Sequence, residues 1–197
     1  MSQTAARIMT AEEFFLWQQG QEDRYELVDG VPVIMRDPIT MMTGASSMHD
    51  RITGNVFAAL HTQLRGTPCW PATADLALRT KVRSLRRADV LVTCDTPRLD
   101  VYEAENPRMV VEVLSPFNKG LPWQRKIEEY RQHTQLLYVL LIDSEQVQAT
   151  LVARDGERWI PSDFDGPDGI IELAAIGCQL AMADVYAGVS LTDESVA

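Results

Sequence analysis

Apolar positions along this chain repeat with two periods, and the changes of period mark its elements. Thr10-Ala11-Glu12-Glu13 is a capping box that opens a helix; Phe14, Phe15 and Trp17 follow, and Gly20 closes it. The run from Tyr25 to Met35 reads as a β-hairpin, because Asp29-Gly30 supplies the positive φ that a two-residue turn needs. Alternation groups Tyr25 with Leu27 on one face and Glu26 with Val28 on the other. A loop from Arg36 to Ser46 leads to a capping serine, Ser46 or Ser47. Met48, Ile52, Val56, Leu60 and Leu64 then fall four residues apart, which predicts an amphipathic helix with His49 in its first turn.

Pro68 and Pro71 mark a break around Trp70, after which Asp75–Arg79 and Ala88–Thr93 read as strands. Cys94–Pro107 is polar and reads as a surface loop. Met109–Leu114 is nearly continuous in apolar residues, as expected of a central strand. Pro122 suits the first turn of a helix whose buried stripe is Trp123, Ile127 and Tyr130, with Lys126 on its border. Leu136–Ile142 predicts a second buried strand, and Val147–Val152 pairs with it through the turn 143–146. Asp155-Gly156 signals another hairpin, Trp159 and Ile160 continue the meander, and Ile170–Leu173 adds a strand. Leu180–Tyr186 reads as a short closing helix, and Thr192–Ala197 as a frayed tail. The pattern predicts an α/β (α+β) fold in one domain, residues 1–197. With 46% hydrophobic residues, 197 positions suffice for one core.

Charge changes the picture in one place. The net charge of −10 argues against tight non-specific binding to nucleic acid, which depends on basic residues neutralising phosphates. Yet Arg79, Lys81, Arg83, Arg86 and Arg87 fall together with no acid among them. They form either a solvated hairpin turn or a local ribbon, with Arg79, Lys81 and Arg83 facing phosphate. No apolar run reaches the roughly 18 residues of a membrane span. Met1–Thr10 lacks the basic-then-apolar pattern of a signal peptide. Cys69, Cys94 and Cys178 are scattered and odd in number, so neither a disulfide framework nor a zinc site is expected, and a reducing cytoplasm is the simplest compartment.

The candidate chemistry lies between Arg87 and Tyr130. Two apolar β-type runs each carry one carboxylate, Asp89 and Glu112. A charge in such a run is costly unless it is paired or bound to a metal. We therefore expect Asp89 and Glu112 to bind a divalent cation, Mg²⁺ or Mn²⁺, with Lys126 assisting. Two carboxylates leave such a cation room for waters and a substrate phosphate, an arrangement suited to phosphodiester hydrolysis. Each auxiliary residue has a plainer reading as well. Lys126 can be a snorkelling lysine, His49 a polar neighbour at the core edge, and Glu26 either a third carboxylate of the site or a solvated strand-edge group. The acids Glu12, Glu13, Glu22, Asp23, Asp95, Asp100, Glu103 and Glu105 read as solvated. There is no Gly-X-Ser-X-Gly elbow, phosphate loop or dinucleotide glycine pattern, and His49, His61 and His133 have no evident nucleophile partner.

Several of these elements together resemble one family. They are Tyr25-Glu26-Leu27-Val28-Asp29-Gly30, His49 opening a long helix, Ala88-Asp89-Val90, Val111-Glu112-Val113-Leu114-Ser115-Pro116, Lys126 with Tyr130, and Leu141-Ile142-Asp143. From about residue 8 to 187 the chain resembles the Uma-type restriction endonuclease family of the PD-(D/E)XK nuclease superfamily. The resemblance implies a restriction-endonuclease-like core with a mixed central β-sheet flanked by helices. It also implies magnesium-dependent cleavage of nucleic acid, DNA above all, by cytoplasmic bacterial proteins that often dimerise. Under it Asp89 matches the aspartate of the PD motif, Glu112 the acid of (D/E)XK, and Glu26 the family's upstream glutamate. Leu114 stands at the usual lysine position, and Lys126 on the following helix supplies the ammonium. The chain departs from the pattern at Ala88, where proline is usual, and at Pro122, near a usual aspartate, and residues 116–124 look reshaped. These departures and the acidic net charge keep a second expectation open: a non-catalytic regulator that binds nucleic acid or protein through the same fold. The meander from Val147 to Leu173 offers a sheet edge for a homodimer.

Overall fold

The computed structural model describes residues 8–35, 46–115 and 121–191. The expectations for 1–7, 36–45, 116–120 and 192–197 lie outside the described residues. The chain opens with α1 (Ala11–Gln18), whose capping box forms as predicted: Thr10 Oγ1 accepts from the Glu13 N–H, and the Glu13 carboxylate accepts from the Thr10 N–H. The hairpin β1 (Tyr25–Val28) and β2 (Val31–Ile34) turns at Asp29-Gly30, with φ of 49° and 85°. Gly30 is required there twice over, since a Cβ would also lie 2.5 Å from Ile8 and 3.1 Å from the Met9 carbonyl oxygen.

After α2 (Ser47–Gln63) come β3 (Trp70–Thr73), β4 (Ala77–Lys81), β5 (Ser84–Arg86) and β6 (Val90–Thr93). Next are β7 (Glu103–Ala104), β8 (Pro107–Leu114), α3 (Leu121–Gln132) and β9 (Tyr138–Asp143). The chain continues through β10 (Gln148–Asp155), β11 (Arg158–Asp165), β12 (Ile170–Leu173), a 3-10 turn at Ala174–Ile176, β13 (Cys178–Ala181) and α4 (Met182–Val185).

Six strands form the main sheet in the order β11-β10-β9-β8-β6-β3, and five form a second in the order β2-β1-β5-β4-β7. The main sheet is mixed: β8 pairs parallel with β9 across the α3 crossover, and its other pairs are antiparallel. Strand alternation sorts its side chains onto two faces. Val90, Val92, Met109, Val111 and Val113 meet Ile52, Val56 and Leu60 of α2, together with β12, β13 and α4. Each fully buried α2 side chain contributes about 1.5–3 kcal/mol. Leu91 and Val110 face the opposite way, toward Tyr130 of α3, Leu136 and Leu78 of the second sheet. Asp89 and Glu112 share that parity, so both carboxylates enter the layer between the main sheet, α3 and the second sheet. α1 closes the far side of the second sheet, packing Ala11 and Phe14 on Leu27, Ala77 and Leu85.

Several expectations change. The predicted closing helix 180–186 is a strand followed by one helical turn, because Ile171 and Leu180 pair at period two. The polar loop 94–107 contains the short β7, which adds in parallel to β4. The segment around Trp70 is an edge strand rather than a break, with Trp70 opposite Thr93. That register corrects the reading of the cysteines. The next residue pair is Cys69 and Cys94, their Cα atoms 3.9 Å apart, and they form a disulfide across 25 residues of sequence. Cys178 is free and buried. The disulfide removes the cysteine argument for a reducing compartment. Among the described residues no helix is long and apolar enough to cross a membrane.

Helix α3 is held against the second sheet by ions as well as by Tyr130. Glu129 is almost fully buried and takes the Arg86 Nε–H at 2.7 Å and the Thr80 hydroxyl at 3.0 Å. Lys81 and Arg125 lie at 3.4 and 3.3 Å from its other oxygen. Burial opposes ionisation of this carboxyl, but Arg86 and the other donors outweigh it and hold its pKa at about 2, against an ordinary 4.5. A depressed carboxylate pKa stabilises the fold above the unfolded value, and this is lost as pH falls through the folded one.

Urea denaturation at pH 7 should therefore show Glu129→Gln destabilised by on the order of 2–3 kcal/mol. The gap from wild type should close as pH falls from 4.5 toward about 2. A gap independent of pH would show that Glu129 acts by packing alone. Alkylation of unreduced, denatured protein should modify only Cys178. Cys69→Ser with Cys94→Ser should cost roughly 3 kcal/mol for a loop of this length.

Candidate functional site

Three strands and one helix each bring a charged group to one place. β6 is preceded by Asp89, and β8 carries Glu112 near its end. Val90 is opposite Val111, so Asp89, one residue further, lies opposite Glu112. The Val113 N–H donates to Asp89 Oδ2 at 2.8 Å, which ties the carboxylate to the neighbouring strand. Glu26 comes from β1. Lys126 and Tyr130, four residues apart on α3, present one helical face to all of them.

The contacts are short and enclosed. Lys126 Nζ lies 2.7 Å from Glu112 Oε1 and 3.0 Å from Glu26 Oε1, and donates to the Arg87 carbonyl at 3.1 Å. The Tyr130 hydroxyl donates to Glu112 Oε1 at 2.5 Å. Glu26 also accepts the Arg87 N–H at 2.9 Å and the Arg86 Nη1–H at 2.9 Å. His49, in the first turn of α2, places Nε2 3.2 Å from Asp89 Oδ2. The plainer readings of Glu26 and Lys126 thus give way. Glu26 is buried rather than at a wet strand edge, and the Lys126 ammonium points into the carboxylates with its side chain only 15% exposed.

Electrostatics divides the carboxylates. Burial would raise the Glu26 pKa, but Lys126 and Arg86 prevail and lower it. Glu112 goes the other way, to about 7: burial and the neighbouring Asp89 charge together outweigh Lys126. Burial opposes the charge on Lys126, yet Glu112 and Glu26 raise its pKa, so the ammonium persists. Burial also disfavours the His49 imidazolium, but its hydrogen bond to Asp89 and the acidic surroundings raise its pKa.

These directions bear on whether the residues suit a divalent cation. Glu129 is matched by Arg86, Lys81 and Arg125, and Glu26 by Arg86 and Lys126. Asp89 and Glu112 are left with one shared lysine and a histidine, a local deficit of positive charge. Asp89 Oδ1 and Glu112 Oε2 carry no hydrogen bond among the described residues. A hard cation that keeps most of its waters fits two such oxygens. Among the described residues no group of three or more His, Cys, Asp or Glu is arranged to hold a metal ion.

The basic ribbon is less available than its sequence promises. Arg79 is paired with Glu103 at 2.9 Å and Glu12 at 3.1 Å, and Lys81 with Glu129. Arg83 is exposed and has no ion pair among the described residues. Glu12 and Glu103 are correspondingly partners of Arg79 rather than merely solvated, and Asp95 accepts the Glu105 and Asn106 N–H groups. Sequence reasoning passed over Arg86 and Glu129 as parts of the site. Glu129 had a signal, standing three residues after Lys126 on one helical face; Arg86 had none beyond its place in a basic run.

Known proteins are similar to this chain in sequence or in fold. A curated relative, "Uncharacterized protein slr1290" of Synechocystis sp. (strain PCC 6803), is 28% identical over 185 residues, covering 92% of this chain and 93% of the relative. A crystal structure described as "a putative nuclease belonging to DUF820", from Anabaena variabilis ATCC 29413, superposes with a TM-score of 0.67 at 19% identity. It covers 90% of this chain and 97% of that one, and establishes a common fold. The model of the Uma2 family, described as "Putative restriction endonuclease", matches residues 11–183, and the chain belongs to that family.

Proposed function

We propose that this protein is a metal-dependent endonuclease that hydrolyses phosphodiester bonds in nucleic acid, DNA by family resemblance. The observation that carries the reading is the convergence of Asp89, Glu112 and Lys126, with Lys126 Nζ 2.7 Å from Glu112. Asp89 and Glu112 would hold Mg²⁺ or Mn²⁺, which when bound polarises the phosphate and steadies the leaving oxygen. The Val113 N–H and His49 fix the orientation of Asp89, and Tyr130 fixes Glu112. Lys126 keeps a full positive charge beside the reacting phosphate, where it offsets the negative charge that grows in the transition state. Glu26 holds that ammonium in place and is an auxiliary acid of the site. In the overall step a water oxygen bonds to phosphorus and the bond to one sugar oxygen breaks. The water's proton is lost to solvent and the departing oxygen takes one up. Arg83, at the exposed turn between β4 and β5, is the member of the basic ribbon best placed to meet a phosphate backbone, with Arg79 and Lys81 following if their acid partners release them. A homodimer through the β11 edge would extend the surface for a duplex.

Purified protein incubated with supercoiled plasmid and Mg²⁺ or Mn²⁺ should nick or linearise it. Glu112→Ala should abolish cutting and divalent-ion binding by calorimetry while leaving the melting transition cooperative. Lys126→Ala should bind the ion and cut about 10²–10³-fold more slowly. Equal cutting by all three proteins would assign the activity elsewhere. Retention of plasmid without cutting, unaffected by Lys126→Ala, would instead identify a binding protein built on the nuclease fold.

A further inference from the structure

Arg86 links Glu26, one of the two carboxylates at Lys126, to Glu129 of the helix that carries the lysine, without pairing with the lysine itself. It ends β5 and pairs across the sheet with β1, where Leu85 opposite Leu27 sets Arg86 opposite Glu26. Its guanidinium is buried, with a side chain 7% exposed. Nη1 donates to Glu26 Oε2 at 2.9 Å, and Nε donates to Glu129 Oε2 at 2.7 Å. Glu129 stands one helical turn after Lys126 on α3. One planar group therefore ties the strand that holds the lysine to the helix that carries it.

The arrangement sets how Glu26 uses its two oxygens. Oε2 belongs to Arg86, and Oε1 receives Lys126 and the Arg87 N–H. Without Arg86, Glu26 would be a buried carboxylate with Lys126 as its one ion-pair partner and the Arg87 N–H as its other donor. It would then compete with Glu112 for the ammonium. Arg86 supplies Glu26 with a second cation and holds its plane, so that Lys126 stays shared between Glu26 and Glu112. The task requires a rigid fork with donors at two angles, which an ammonium on a flexible stem does not offer.

We infer that Arg86 is a positioning residue that sets the Lys126 ammonium by bridging Glu26 and Glu129. As a catalytic statement it rests on the nuclease reading; as a statement about Lys126 it does not. The test has an arm for each. A buried ammonium held between two carboxylates and a carbonyl exchanges its protons slowly, so the Lys126 –NH₃⁺ group should give a resolved side-chain NMR signal in the wild type, assigned by its loss in Lys126→Arg. Arg86→Gln, and Arg86→Lys as the variant that keeps the charge, should both broaden or lose that signal while the backbone amide spectrum stays dispersed. Leu151→Ala, a core variant remote from the site, should lower the melting temperature and keep the signal. In plasmid cleavage, both Arg86 variants should reduce kcat by about 10-fold or more with KM within a few-fold, as expected of a misplaced group rather than a lost binding contact. An unchanged Lys126 signal in a folded Arg86→Lys protein would overturn the inference, and so would loss of the signal in Leu151→Ala. If the wild type cuts nothing, the nuclease reading fails and the NMR arm alone decides the role of Arg86.

Discussion

Lys126 donates a hydrogen bond to the carbonyl of Arg87 and sets its charge 2.7 Å from Glu112 of β8 and 3.0 Å from Glu26 of β1. This shared ammonium is the constraint to which the rest of the layer answers. Carboxylates brought between two sheets lose their hydration and must be neutralised locally. One lysine cannot serve Glu26, Glu112 and Asp89 fully. The structure meets this demand unevenly, with Arg86 supporting Glu26, a ring of basic groups enclosing Glu129, and Asp89 and Glu112 left short of positive charge.

That unevenness connects stability to chemistry. Glu129 is ionised down to about pH 2 and fastens α3 to the second sheet. Glu112, with a pKa near 7, is the carboxyl whose charge the fold least compensates. A group held in that state gains from an incoming cation, whereas a fully matched ion pair has nothing to gain from one. These carboxylates therefore differ in the balance of nearby charge rather than in burial, since Glu26, Glu112 and Glu129 are all buried. The helix carrying Lys126 also carries Glu129 and Tyr130, three and four residues on, so the group that anchors the helix and those that meet Glu112 belong to one element.

Patterns with short range were legible along the chain. The capping box at Thr10, the Asp29-Gly30 hairpin, the α2 stripe and the parity of Asp89 with Leu91 all depend on neighbours within a few residues, and all appear in the structure. Asp89 and Glu112 were visible as charges inside apolar runs for the same reason, since desolvation cost is written into local composition. Local pattern carries no information where a residue's role comes from a distant partner. Cys69 looked isolated until β3 paired with β6, and the segment around Trp70 looked like a break because an edge strand tolerates Pro71. Leu180–Tyr186 was too short for period two to be told from a turn of helix.

By itself the sequence determined the local elements, the faces they bury and the two carboxylates that such faces cannot hold uncompensated, because periodicity, capping and desolvation act over a few residues. Only the tertiary structure decided which charges meet. It turned Glu26 inward, gave Arg79 to Glu12 and Glu103 rather than to a ligand, joined Cys69 to Cys94, and set Arg86 between Glu26 and Glu129. Coulomb energy and hydrogen bonding depend on distance in space, and 60 residues of chain separate Glu26 from Arg86 although their side chains lie 2.9 Å apart.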